Sequence, residues 1–299
     1  MRRFLMMNPK LNKILTDFNV ALNNSVTSSQ LQTKLEESMR YSLEAGGKRI
    51  RPLLLLSTLD MLSEKGYQSG MTTAIALEMI HTYSLIHDDL PAMDNDDFRR
   101  GKPTNHKKYG EWLAILAGDA LLTKAFELIS KPQSLPPHIQ IEIIHLLSTA
   151  SGHLGMVGGQ TLDMQSEGEK LQLHQLETIH SHKTGALIHF AIESATIISE
   201  APSHVKNLLS NFAEQLGIIF QIKDDLLDVN GDQEKLGKPV GSDILNDKST
   251  YVSLLGEAGA EKQLSSHVSK ATEILNTLSK DYDTTNLNEL LKLFYQRQK

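Results

Sequence analysis

Residues 204–228, "HVKNLLSNFAEQLGIIFQIKDDLLD", decide how the rest of the chain is read. Val205, Leu209, Phe212, Leu216 and Ile219 recur at helical spacing through a run too long for a strand, so the stretch is an amphipathic helix. At its end Gln221, Asp224, Asp225 and Asp228 stand at i, i+3, i+4 and i+7, which at about 100° per residue places them on one face. Three carboxylates on one face beside Phe220, Ile222 and Leu226 repel one another and are costly to bury bare. A hard divalent cation resolves that conflict, and Mg²⁺ in particular is held by one or two carboxylates together with waters and substrate phosphates.

The same helical period runs through most of the chain. Ala76, Met79, Tyr83 and Ile86 follow it, as does "IQIEIIHLLSTASGHLGM" (139–156), whereas alternation of period two is scarce. Glycine and proline gather at joints such as "SKPQSLPPH" (130–138), "SEAPSH" (199–204) and "NGDQEKLGKPVGSD" (230–243). The expectation is an all-α chain, 1–299 forming a single domain, with several helices apolar on more than one face because others surround them.

Composition narrows the function. With 299 residues, 40% hydrophobic and 22% charged, the chain reads as an ordinary globular protein. A net charge of −6 and a pI near 6.1 give no general attraction to nucleic acid or to anionic lipid. The absence of cysteine excludes disulfides, thiol catalysis and iron–sulfur clusters and suits a reducing cytoplasm. "MRRFLMMNPKLNK" turns polar at Asn8, without the sustained apolar region of a signal peptide, and no window approaches the roughly 20 apolar residues that span a bilayer. A cytoplasmic protein with no nucleic-acid partner and no stable membrane insertion is expected.

A second acidic cluster lies in "LIHDDLPAMDNDDFRRGKPT" (85–104). Pro91 interrupts the helix after Asp88 and Asp89, and an ideal helix would rotate Asp94 about 120° from Asp88. A kink or bulge is needed to make them converge. Neither cluster is a calcium loop, because the sixth position from Asp94 is Arg99 and from Asp228 is Gln233, where that loop needs glycine. Two acidic rims on separate helices, facing across a cavity, remain the better reading. Positive charge sits apart: "GGKRIRP" (46–52) places Lys48, Arg49 and Arg51 at the start of an apolar helix, a favourable setting for a diphosphate, and Arg99 and Arg100 follow the first rim. His180, Lys183, Thr184 and Leu187 share a helical face, as do His81, Ser84 and Asp88. Metal rims plus separated cations imply a substrate set carrying two diphosphates.

Taken together, "GGKRIRP", "EMIHTYSLIHDDLPAMDNDDFRRGKPTNH", "LAGDALL", "GGQTLDM", "HKTGAL", "GIIFQIKDDLLD" and "LGKPVGSDILNDKSTYVSLLG" resemble the trans (E)-isoprenyl diphosphate synthases, and within them the bacterial farnesyl diphosphate synthases. The resemblance implies an all-helical bundle around a deep central active-site cavity, the isoprenoid synthase fold, usually as a homodimer. It makes Asp88, Asp94 and Asp224 ligands of about three Mg²⁺ ions. It assigns Arg99, Lys183, Thr184, Gln221, Lys238 and Lys248 to the allylic diphosphate, with Lys183, Thr184 and Gln221 catalytic alongside the metal ligands. It assigns Lys48, Arg51, His81 and Arg100 to isopentenyl diphosphate. The implied reaction is sequential condensation of isopentenyl diphosphate with dimethylallyl and geranyl diphosphate through an allylic carbocation, which Thr184, Gln221 and Phe220 help to stabilise. Tyr83, five residues before Asp88, is similar to the aromatic floor that limits product length, although the helical wheel puts Ser84 beneath Asp88. A geranylgeranyl diphosphate synthase, a class I terpene cyclase and a non-catalytic subunit of a synthase heteromer are the alternatives. Closure of the tail Gln296–Lys299, with Arg297 and Lys299, over the basic site on binding is a hypothesis that the sequence leaves open.

Overall fold

A computed structural model describes residues 8–26, 34–131, 135–230 and 249–297. Lys238, Lys248, the "PVGSDILND" segment and Lys299 lie outside the described residues. The helices in chain order are α1 (Pro9–Asn23), α2 (Lys34–Leu43), α3 (Ile50–Leu62), α4 (Met71–Asp88), α5 (Asn105–Tyr109), α6 (Glu111–Ser130), α7 (Pro137–Ser151), α8 (Met156–Gln165), α9 (Leu173–His180), α10 (Ala186–Ile198), α11 (Ser203–Asn230), α12 (Tyr251–Leu278) and α13 (Thr285–Tyr295). The all-α expectation holds: among the described residues the only sheet is a hairpin of β1 (Phe98–Arg99) and β2 (Lys102–Pro103).

Layering follows from sequence patterning. In α3 every residue from Leu53 to Leu59 is buried, and α10 is almost as fully enclosed, so both are apolar all round. They pack against each other, while α4 runs along α6 and α11 along α12. A large apolar core joins α1, α3, α4, α6, α7, α10, α11, α12 and α13. A smaller cluster of Leu176, Ile222, Leu226, Tyr251 and Ala260 ties the far end of α11 to α9 and α12. Gly256, at φ 70°, breaks α12 near its start.

Two irregularities position the site. Residues Ser181–Gly185 form a π-helical turn between α9 and α10, a local widening often found where a helix serves function. In the hairpin, Arg100 and Gly101 both take positive φ, 54° and 75°, the signature of a type I′ two-residue turn. The two neighbouring arginines therefore leave the turn in different directions.

Candidate active site

The first acidic rim is built at the end of α4. The helix stops at Asp88, and the chain folds back so that the Asp94 N–H donates to the Asp88 carbonyl at 2.9 Å. That bond supplies the convergence an unbroken helix denies. Burial pushes the Asp88 carboxyl up to about 6; Lys183 is the strongest cation opposing this, and Asp94 adds to it. Asp94 itself is exposed. Asp89 plays a different part: it is buried and accepts from Arg99, with Nη2 at 2.6 Å and Nε at 2.7 Å, while Asp96 reaches Arg99 at 3.4 Å. Arg99, expected to be open to phosphate, is therefore already held by carboxylates of its own loop.

The second rim departs from the helical wheel. Asp225 is buried and its Oδ2 accepts the Tyr251 N–H at 2.7 Å, so it anchors the start of α12 rather than joining a metal rim. Asp224 keeps 45% of its side-chain surface accessible although protein encloses it, and that enclosure pushes its carboxyl up. Its partner is Arg297, whose Nη2 lies 2.7 Å from Asp224 Oδ1 and 2.7 Å from the Phe220 carbonyl, with the guanidinium stacked 4.0 Å over the Phe220 ring. Arg297 of the tail is thus inserted against α11.

The basic cluster loses one member and keeps four. Arg49 is buried, at φ 51°, and its guanidinium donates to Glu78 Oε1 and to the Leu43 carbonyl, each at 2.5 Å. It braces α3 against α4 and is not a phosphate ligand, a correction to the reading of three available cations in "GGKRIRP". Arg51 stands 3.4 Å from His81 Nε2, and both are half-buried. Burial, then the charges of Arg51 and Arg100, hold His81 well below its ordinary range, so the ring is neutral. Arg100 donates to the Gly46 carbonyl, and a Cβ on Gly47 would stand 2.7 Å from its guanidinium. The glycines before Lys48 thus make room for an arginine from a distant hairpin. Lys48 and Arg51 also act on Asp224, which puts this cluster across from the second rim.

Lys183 lies on the π-helical turn and donates to Asp163 Oδ2 at 2.5 Å. Thr184 beside it is buried, Gln221 is half-buried on α11, and Tyr83 is buried with its ring edge-on to His87 at 5.7 Å. His180 ends α9 just ahead of the π-helical turn, within electrostatic reach of Asp163 and Lys183. It stacks on Tyr251 at 5.8 Å with a buried Nδ1 that lacks a partner among the described residues. Sequence reasoning overlooked Asp163; only its place in "GGQTLDM" could have drawn attention to it.

The carboxylates of Asp88, Asp94 and Asp224 offer oxygen donors alone, which suit a hard cation. Among the described residues no three acidic or histidine side chains converge to hold an ion unaided. Oxygen donors of this kind fit Mg²⁺ when phosphate and water supply its remaining ligands.

Comparison with known proteins identifies relatives along most of the chain. The polyprenyl synthetase family model matches residues 32–286. The farnesyl diphosphate synthase of Micrococcus luteus is 53% identical over 285 residues, covering 95% of this chain and 97% of the relative. That of Geobacillus stearothermophilus is 51% identical over 263 residues, covering 87% and 88%. A geranyltransferase from Helicobacter pylori, solved with magnesium and isoprenyl diphosphate, superposes with a TM-score of 0.87 at 35% identity, covering 96% of this chain and 97% of that one.

Proposed function

The chain belongs to the polyprenyl synthetase family, and from that premise we propose that it is a farnesyl diphosphate synthase, a prenyltransferase that adds isopentenyl diphosphate to dimethylallyl and then to geranyl diphosphate. The observation that carries this reading is the opposition of two charge centres. The acidic rims and Lys183 suit one diphosphate, while Lys48, Arg51, His81 and Arg100 gather from three separate chain segments to suit a second. A cyclase, with one substrate diphosphate, has no use for the second centre.

In the mechanism this implies, Asp88, Asp94 and Asp224 would hold Mg²⁺, which when bound neutralises charge on the leaving diphosphate as a Lewis acid. Lys183 adds fixed positive charge at the same end, in a setting where such charge acts strongly. Arg99 joins it by exchanging Asp89 and Asp96 for phosphate oxygens in its planar fork. As the allylic carbon–oxygen bond breaks, the Thr184 hydroxyl and the Gln221 amide oxygen direct their dipoles at the cation. Phe220 contributes its ring face once Arg297 withdraws. Lys48, Arg51 and Arg100 orient isopentenyl diphosphate so that its double bond attacks the cation. Neutral His81 contributes a hydrogen bond without adding charge. The proton lost in forming the new double bond leaves with the released diphosphate, and no side-chain nucleophile is needed.

Tyr83 is the assigned limit on product length, and the family's homodimer is assigned to the exposed stripe of Trp112, Ile115 and Leu116 on α6. No described helix is long and apolar enough to cross a membrane. The deciding experiment incubates the purified chain with labelled isopentenyl diphosphate, Mg²⁺ and either allylic substrate, then analyses the product. A fifteen-carbon product supports the reading. A twenty-carbon product makes the chain a geranylgeranyl diphosphate synthase, and no condensation by folded protein that still binds diphosphate makes it a non-catalytic subunit.

A further inference from the structure

We propose that Asp163 is a positioning residue for Lys183, fixing the lysine ammonium beside the first acidic rim so that it meets a diphosphate rather than the rim itself. The inference rests on the prenyltransferase reading and adds to it a residue with no role there. Two separate contacts from one face of α8 converge on Lys183. Gly159 and Asp163 stand at i and i+4, hence on the same side of the helix. A Cβ at Gly159 would lie 2.1 Å from the Lys183 nitrogen and 2.6 Å from its Cα, so α8 touches the lysine backbone where only glycine fits. One turn later Asp163 Oδ2 takes the ammonium of the same lysine at 2.5 Å. The π-helical turn that carries Lys183 is thereby gripped at both its main chain and its side chain.

Lysine is a compact charge on a flexible stem, so its position needs an anchor. Lys183 is the cation that acts most strongly on Asp88. Without Asp163 the ammonium would lose the 2.5 Å contact that holds it and would be drawn toward the carboxylate of Asp88, on which it already acts. The two side chains of the pair remain 31% and 21% accessible, and ion pairs this open contribute little to stability. Its worth lies in where it holds the charge.

The test is a double-mutant cycle on the full-length protein, comparing Asp163→Asn, Asp163→Glu, Lys183→Met and Lys183→Met with Asp163→Asn. Asp163→Asn is expected to lower kcat about 10- to 100-fold, the scale of a small misplacement, with KM for isopentenyl diphosphate unchanged. Asp163→Glu should recover most of the loss. In the Lys183→Met background, Asp163→Asn should cost nothing further, because the residue acts through a side chain no longer there. If Lys183→Met turns over too slowly to measure, the same cycle is read from binding of inorganic pyrophosphate with Mg²⁺. Losses that multiply in the double variant, an Asp163→Asn enzyme within about twofold of wild type, or an Asp163→Asn chain that fails to fold would each overturn the proposal. Failure of the wild-type chain to condense its substrates is a different result, and it strikes the parent reading instead.

Discussion

Arg297 and Asp224 form an ion pair at 2.7 Å in which the arginine is almost wholly enclosed, its side chain 7% accessible, while the aspartate stays open on its other side. On the proposed function Asp224 would hold a metal ion where the guanidinium now stands, so metal entry at this rim would have to displace it. Arg297→Ala should therefore raise the affinity of the substrate-free protein for Mg²⁺ by about fivefold or more, the size of a modest coupling between sites. Calorimetric titration with magnesium chloride measures this. Equal affinity in the two proteins would mean that the pair does not compete with metal.

On the proposed function Tyr83 is the residue that limits product length. Burial, with the charge of Asp88 added, pushes its hydroxyl up to about 12, so it stays a neutral phenol in an apolar wall. Tyr83→Ala should lower stability by about 3 kcal/mol through the space it leaves and shift the products toward twenty carbons. Chromatography of the extracted products reads the second effect. An unchanged distribution would move the floor to another residue.

His180 should set an acid limit on stability. Burial, reinforced by Lys183 and opposed by Asp163, lowers its pKa to about 4, against an unfolded value near 6.5. A depressed folded value means stability is fully present above pH about 6.5 and is lost as pH falls toward 4, because the unfolded chain takes up the proton first. At full extent that gap corresponds to about 3 kcal/mol. Melting temperatures measured between pH 7 and 4 should fall more steeply for wild type than for His180→Phe, which keeps a ring against Tyr251. Parallel curves would contradict the depressed value.

Gly159→Ala places a methyl group against main chain that cannot yield as a side-chain tip would. The expected cost is about 1–3 kcal/mol in urea unfolding, accompanied by loss of turnover as α8 draws away from Lys183. A variant with unchanged stability would show that α8 can shift freely at this point.

The fold class was legible because apolar periodicity survives in long helices such as α4, α7 and α11, while α3 shows itself as an unbroken apolar run. The site was legible in its residue types and less so in its pairings. Asp94 reaches Asp88 through one backbone hydrogen bond in a turn, which no helical wheel contains. Asp225 satisfies the wheel yet is claimed by the Tyr251 N–H, and Arg49 sits in a basic stretch yet is claimed by Glu78, both partners more than twenty residues away. The π-helical turn breaks the regular spacing that aligned His180 with Lys183, and the hairpin is too short to show any alternation. Local period is written in the sequence, whereas a partner supplied by another helix is not.

The hairpin turn carries one more consequence. Arg99 reaches back to the loop of the first rim and Arg100 reaches to Gly46 beside the basic cluster, although their Cα atoms are one peptide unit apart, about 3.8 Å. A single rigid turn thus yokes the two charge centres. On the proposed function, deleting one residue there would disturb both diphosphate subsites together, and a tilt of the hairpin as one diphosphate docks would be felt at the seat of the other.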